Sequence, residues 1–227
     1  MIDCYIPLRT DPGLLQQAIA SMYDQVDNFI VINNTQQDLT SLFKYVPKVE
    51  FLNPFDPMCF EQSINTAVKH SYGYKKNHDY LFWCHNDIIV QAGAVEALFK
   101  KYEEVKHTKW GVIYGNYDTF CLINPNFFIK ENIWGEVNLF PNYFGDNHRY
   151  RLMDLRGYSR LDAEGVKDLV FHIGSQTIMR HPYFRTINNL TFALEQQLYI
   201  NIWGGLSPNE LNADPTCGGL YPITEEK

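Results

Sequence analysis

The segment YLFWCHNDIIV, residues 80–90, decides how the chain is read. Residues 80–84 form an apolar run of strand length, broken abruptly by His85-Asn86-Asp87 before a second apolar stretch. An uninterrupted apolar strand is covered on both faces, which points to a parallel sheet inside an α/β protein. A carboxylate at the edge of such a strand is costly unless it faces a cleft or holds a cation. Asp87 is therefore a candidate metal ligand, and an exposed turn aspartate is the competing reading.

Outward from this segment, strand and helix signals alternate. Residues 2–8 read as a strand, closed by Arg9-Thr10-Asp11-Pro12. Pro12 opens a helix with Leu14, Leu15, Ala18, Ile19 and Met22 at 3.6-residue spacing. Residues 28–32 (NFIVI) form a buried strand ended by Asn33-Asn34-Thr35, followed by a short helix at 39–45 and a strand at 49–52. Helices are expected at 60–71 and 91–105, the second with Ala94, Leu98 and Tyr102 on one face. Beyond them come strands at 110–114 and 120–123, helices at 127–133 and 147–156, a strand at 170–173 and a long helix at 182–203. The order βαβα predicts an α/β fold, a mostly parallel central sheet with helices on both faces. Polar clusters follow the first, second and fourth strands, at the carboxyl ends where open α/β sheets bind ligands. Residues 1–203 read as one domain, with 204–227 a loop-rich tail serving as a lid or linker.

Composition narrows the class. The 227 residues carry 26 acidic and 19 basic side chains, a net charge of −7, which argues against bulk nucleic-acid binding through phosphate neutralisation. The 45% apolar share excludes a disordered chain. There is no run of about 20 apolar residues for a membrane span and no secretory leader pattern at the start. The five widely spaced cysteines fit reduced thiols, so a cytoplasmic location is expected, in the host cytoplasm for a viral chain. Dinucleotide, P-loop, zincin and nucleophile-elbow motifs are all missing, so any site must be built another way.

Six segments in order resemble the inverting GT-A glycosyltransferases of the family-2 type, especially the rhamnosyltransferase-like branch. CYIPLRTDPGLLQQAIASMYDQ is similar to the opening strand, turn and helix of that family, and FIVINNTQQD to its second strand and turn. SINTAVKHS resembles the following helix, with Asn65 at the family's Asn. YLFWCHNDIIV lies at the D-x-D position, LINPNFFIKENIWGEVNLFPNYFGDNHRYRLMDLRGY resembles the acceptor-side stretch, and VFHIGSQT is similar to the closing H-x-x-G-x-S segment. The resemblance implies a nucleotide-sugar-binding half at 1–115 and an acceptor half at 116–203. His85 stands where an Asp is common, Asn33 replaces the Asp after the second strand, and Thr10 replaces an Asn. The donor base is therefore left open.

The chemistry implied is transfer of a sugar from a nucleoside diphosphate to a hydroxyl acceptor, which builds negative charge on the departing diphosphate. Asp87 and His172, with His85 as a third, would hold Mn²⁺ or Mg²⁺ as a Lewis acid. Asp146 occupies the position of the general base; an ordinary helix N-cap is its competing role. Pro7, Arg9, Thr10, Asn33, Asn34, Asn65 and Asn86 would bind the donor. Arg151 would pair with a phosphate or a site carboxylate, and Trp134, Tyr143 and Phe144 would flank the acceptor, which is a glycan, a protein or a modified DNA base. The alternatives are a sugar-phosphate nucleotidyltransferase and a non-catalytic nucleotide- or carbohydrate-binding module on the same fold.

Overall fold

The computed structural model describes residues 1–134, 139–174 and 179–212. The end of the VFHIGSQT segment and residues 213–227 of the expected tail lie outside the described residues. Strands β1 (Asp3–Leu8), β2 (Asn28–Asn33), β3 (Val49–Leu52), β4 (Leu81–Cys84), β6 (Trp110–Asn116), β7 (Phe120–Ile123) and β8 (Ser159–Asp162) form one seven-stranded sheet, ordered β3-β2-β1-β4-β7-β6-β8. β1 through β4 pair in parallel, as do β6 and β8; only β7 runs antiparallel to its neighbours. β5 (Ile88–Val90) and β9 (Val170–His172) form a separate antiparallel ladder.

The unbroken apolar runs make sense once both faces are covered. Alternate residues of each strand enter different cores: Cys4, Ile6, Leu8, Phe29, Val31, Phe82 and Cys84 face one, while Tyr5, Ile30, Ile32, Leu81 and Trp83 face the other. The first core is completed by α1 (Pro12–Met22) and α4 (Ala94–Val105). The second is completed by α3 (Phe60–Lys69), α5 (Pro125–Lys130), α6 (Gly145–Leu155) and α7 (Pro182–Trp203). The short α2 (Thr40–Phe43) contributes Phe43 to the first core. This is the expected mostly parallel sheet with helices on both faces.

Three local readings change. α5 starts at Pro125 rather than 127, because proline suits the first helical position and Asn124 caps it, its Oδ1 accepting from Asn126 N at 3.0 Å. α6 starts at Gly145 rather than 147, since the left-handed Phe144 (φ 60°) sets the turn into it. Asp146 is thus inside the first helical turn and is not the N-cap. β8 was not expected: Ser-Arg-Leu-Asp has no apolar run, and the strand survives at the sheet edge by pairing with β6 and by the bidentate Arg160–Asp154 contact at 2.9 and 2.8 Å. Among the described residues no helix is long and apolar enough to cross a membrane.

Candidate metal-binding cleft

The β5–β9 ladder brings distant residues together. Its register sets His172 opposite Ile88, and Ile173 N donates to Asp87 O at 2.9 Å. The His172 Nε2 then lies 3.2 Å from Asp87 Oδ1. His85 leaves the end of β4 with its N–H still tied to Thr119 O at 2.9 Å, and its Nδ1 is 4.0 Å from the same Asp87 oxygen. One ligand atom from each of His85, Asp87 and His172 lies within 4.8 Å of the others, the only such grouping of three among the described residues.

The two imidazoles are tuned in opposite directions. Burial pushes His85 down to about 4, against the pull of Asp87, so it is neutral at physiological pH. The hydrogen bond to Asp87 raises His172 above its ordinary value, although burial opposes it. His85 Nε2 is buried without a hydrogen-bond partner among the described residues, an arrangement that costs free energy unless something else takes the lone pair. A carboxylate with two imidazoles is a donor set that Mn²⁺ accepts readily and Mg²⁺ less so. Bonds of about 2.1 Å separate ligand atoms by roughly 3 to 4 Å, so closing this trio on a cation needs only a small contraction. The residues fit a divalent ion.

The trio forms part of the wall of a cleft of about 550 Å³. Pro7 near the end of β1, Arg9 after β1, Asn34 after β2, and Asn86 after β4 also line it, so these expected donor residues meet at the carboxyl ends of the parallel strands. Asn34 is nearly buried and ties the β2 loop to α3, donating to Ser63 Oγ at 3.2 Å and accepting from Met58 N at 2.9 Å. The opposite wall is Tyr143 and, from α7, Tyr183, Phe184 and Ile187.

Other expected donor residues sit elsewhere. Asn33 uses its amide to brace its own loop and the loop after β3: Nδ2 donates to Gln37 O (2.8 Å) and Asn53 Oδ1 (2.9 Å), and Oδ1 accepts from Thr35 N (3.2 Å) and Oγ1 (2.7 Å). It borders a smaller concavity of about 280 Å³ with Phe51 and Asn53. Thr10 and Asn65 do not line the main cleft; Thr10 O accepts from Asn86 Nδ2 at 3.3 Å and so fixes the loop next to Asp87.

Of the residues expected on the acceptor side, Asp146 is not among those lining the cleft; it accepts a hydrogen bond from Tyr117 Oη at 3.2 Å, and its charge reaches His85. Beneath it lies a fully buried pair, Arg149 Nη1 donating to Glu61 Oε2 at 2.5 Å. Burial pushes Glu61 up to about 7 despite Arg149. Burial is the largest influence on Arg149 and would lower it, but the Glu61 charge together with Tyr150 and Asp146 more than reverses that. Gly145 is required here, because a Cβ would meet the Glu61 carboxyl oxygen at 2.5 Å. Asp118, in the β6–β7 turn, is raised to about 7 by burial first and then by Asp146. Tyr143 lines the cleft, its N–H donating to Glu195 Oε2 of α7 at 2.8 Å. Arg151 turns away: its Nη2 donates to Asn212 O at 3.2 Å and its guanidinium lies 5.9 Å from the Trp203 ring centre. Trp134 also lies off the cleft, with Lys69 Nζ 5.0 Å above its ring.

Sequence reasoning passed over Glu61, Asp118, Tyr117, Arg149 and Phe184. Arg149 and Arg151 are two positions apart, about 200° around a helix, so only one of them can face the core. Met153 lies one turn beyond Arg149 and Leu155 one turn beyond Arg151, so the sequence does not decide between them; the fold buries Arg149.

A mixed sheet of this order, with a ligand cleft at the carboxyl ends of its parallel strands, is a GT-A-like fold. The structure is similar to that of TarS residues 1–349 from S. aureus, with a TM-score of 0.52 at 13% identity, over 68% of this chain and 55% of that one. The chain thus spans about half of that structure, and the likeness is one of fold. Two others are GalNAc-T7 with UDP, GalNAc and Mn²⁺ (TM-score 0.40, 10% identity, 54% and 24% of the two chains) and 4-diphosphocytidyl-2C-methyl-D-erythritol synthase (0.49, 9%, 85% and 98%). No protein-family profile and no curated protein sequence matches the chain.

Proposed function

We propose that the chain is a metal-dependent inverting glycosyltransferase, moving a sugar from a nucleoside-diphosphate donor to a hydroxyl acceptor. The observation that carries this reading is the His85–Asp87–His172 trio, set in the cleft wall at the carboxyl end of β4 in a GT-A-like fold. A divalent ion held there, Mn²⁺ or Mg²⁺, supplies Lewis-acid stabilisation of the departing diphosphate. Arg9 adds the cation that the chain itself offers to the phosphates, with Pro7, Asn34 and Asn86 shaping the donor side. Asp146 takes the proton of the acceptor hydroxyl as its oxygen attacks the anomeric carbon. Tyr143 and the aromatic face of α7 present apolar surface to a sugar ring and shield the reacting centre from water.

Incubation with UDP-, GDP- and dTDP-sugars, with Mn²⁺ and with Mg²⁺, tests the proposal. Slow donor hydrolysis that stops on chelation is expected, together with a metal-dependent thermal shift by the matching nucleotide. No response to any donor with either metal refutes it, and pyrophosphate release from a nucleoside triphosphate plus a sugar phosphate would replace it with nucleotidyl transfer.

A further inference from the structure

We propose that the turn between β6 and β7 is the second half of the base site, with Tyr117 a positioning residue that orients the Asp146 carboxylate. The inference rests on Asp146 acting as the base.

The backbone of the turn gives the first argument. Tyr117 adopts φ 47°, a left-handed conformation that aromatic residues rarely take and that costs on the order of 1 kcal/mol or more. The strain puts the ring against Tyr114, stacked at 5.4 Å with planes 16° apart, and edge-on to Tyr150 at 5.9 Å. From that seat the phenol reaches Asp146 Oδ2 at 3.2 Å. One carboxylate oxygen is thereby occupied, and Oδ1 is left for an acceptor hydroxyl.

The second argument is where the turn is anchored. Asn116 Nδ2 donates to Val170 O at 2.9 Å, on the strand that carries His172. Thr119 O accepts from His85 N at 2.9 Å, and Thr119 Oγ1 closes the turn on Asn116 O at 2.6 Å. Four consecutive residues therefore touch both histidine-bearing segments and the base. The turn fixes the spacing between the cation site and Asp146, the distance over which donor and acceptor must meet.

The charges around Asp146 fit this role. Glu61 of α3, His85 after β4, Tyr117 and Asp118 of the turn, Arg149 of α6 and Tyr199 of α7 all sense its charge. Arg149 acts on three carboxyls, Glu61, Asp118 and Asp146, and His172 also acts on Asp118. Burial, then the charges of Asp146 and Asp118, keep the Tyr117 phenol protonated well above its usual range, so it stays a donor throughout the working pH. In the transfer step the acceptor O–H proton passes to Asp146, the oxygen–anomeric carbon bond forms, and the bond to the diphosphate breaks with its electron pair leaving on the diphosphate.

The test is Tyr117→Phe, which keeps the ring packing and removes only the hydroxyl. Metal-dependent hydrolysis of UDP-, GDP- and dTDP-sugars, with water as acceptor, is measured alongside ¹³C titration of the aspartate carboxyls in wild type and variant. The expected result is a kcat about tenfold lower with an unchanged donor KM, as loss of one charge-assisted hydrogen bond predicts. The acid limb of kcat/KM and the Asp146 carboxyl titration should both move to higher pH, because the lost donor favoured the ionised form. Unchanged kcat and unchanged Asp146 titration overturn the proposal. If wild type hydrolyses no donor, the proposed function fails by itself, and the carboxyl titration still decides: a displaced Asp146 supports the pairing, and an undisplaced one overturns it.

Discussion

The guanidinium of Arg9 lies 5.2 Å from the centre of the Phe184 ring, so the one Arg or Lys among the described residues lining the cleft is held by the helix across from it. The start of that helix is in turn fastened to the loop after β1, where His181 Nε2 lies 3.2 Å from Asp11 Oδ2. A cation–π contact of this kind contributes about 0.5–1 kcal/mol at an exposed site. Phe184→Leu should therefore raise the KM for donor two- to fivefold at unchanged kcat, and Arg9→Gln should raise it further. Steady-state kinetics of donor hydrolysis check this. An altered kcat at constant KM would place Phe184 with the chemistry instead of with the donor.

Metal binding should release no more than one proton near neutral pH, and His172 should supply it. Its imidazole is raised by Asp87, whereas His85 sits at about 4 and is already neutral. A cation needs the neutral ring, so affinity falls as pH drops through the raised His172 value, and His85 adds its effect only near pH 4. Calorimetric titration with Mn²⁺ in two buffers of different ionisation enthalpy counts the protons. Two protons released at pH 7 would contradict the assignment.

Arg149→Met should destabilise the fold by about 3–5 kcal/mol, because it strands the fully buried Glu61 carboxylate. The double variant Glu61→Leu/Arg149→Met should recover most of that loss. Urea unfolding of the set gives the coupling energy directly, and simple additivity of the two changes would refute a buried pair acting as a unit.

Asp118 gives a pH-dependent prediction. Its folded value of about 7 lies above the unfolded value of roughly 3.9. A raised carboxyl favours the fold while protonated and loses that contribution as pH rises from the unfolded value to the folded one. Asp118→Asn should therefore match wild type near pH 4 and exceed it at pH 8, by about 1–2 kcal/mol after allowance for solvent screening. A stability difference that stays constant across this range would remove the charge argument.

The parts of the fold that sequence reveals are those where one physical demand dominates. β1, β2 and β4 are covered on both faces, so almost every residue in them is apolar and the run is unmistakable. β8 has no such demand; its charged side chains are exposed at an edge, and only the pairing with β6 makes it a strand. In the site, the abrupt change from Cys84 to His85-Asn86-Asp87 marked the end of a buried strand, and two of those three polar residues belong to the His85–Asp87–His172 trio. Glu61 was hidden because a charged residue near a helix start normally faces water; here α6 and Arg149 bury it. Asn33 shows the opposite limit. Its place at the end of β2 was legible, but of its four hydrogen bonds the one to Asn53 depends on the loop after β3, which local sequence does not bring near.

Asp87 and His172 are 85 positions apart in the chain and meet across a ladder of only three residue pairs. A cation bound between them would act as a removable cross-link across a loop of that length. The entropy of closing a long loop grows only slowly with its length, so most of the benefit comes from making the closure at all. Chelation should then resemble reduction of a disulfide, loosening the β5–β9 ladder and the turn pinned to Val170 before the seven-stranded sheet opens. Amide exchange at Ile88–Val90 and Val170–His172, with and without Mn²⁺, reports that order of events.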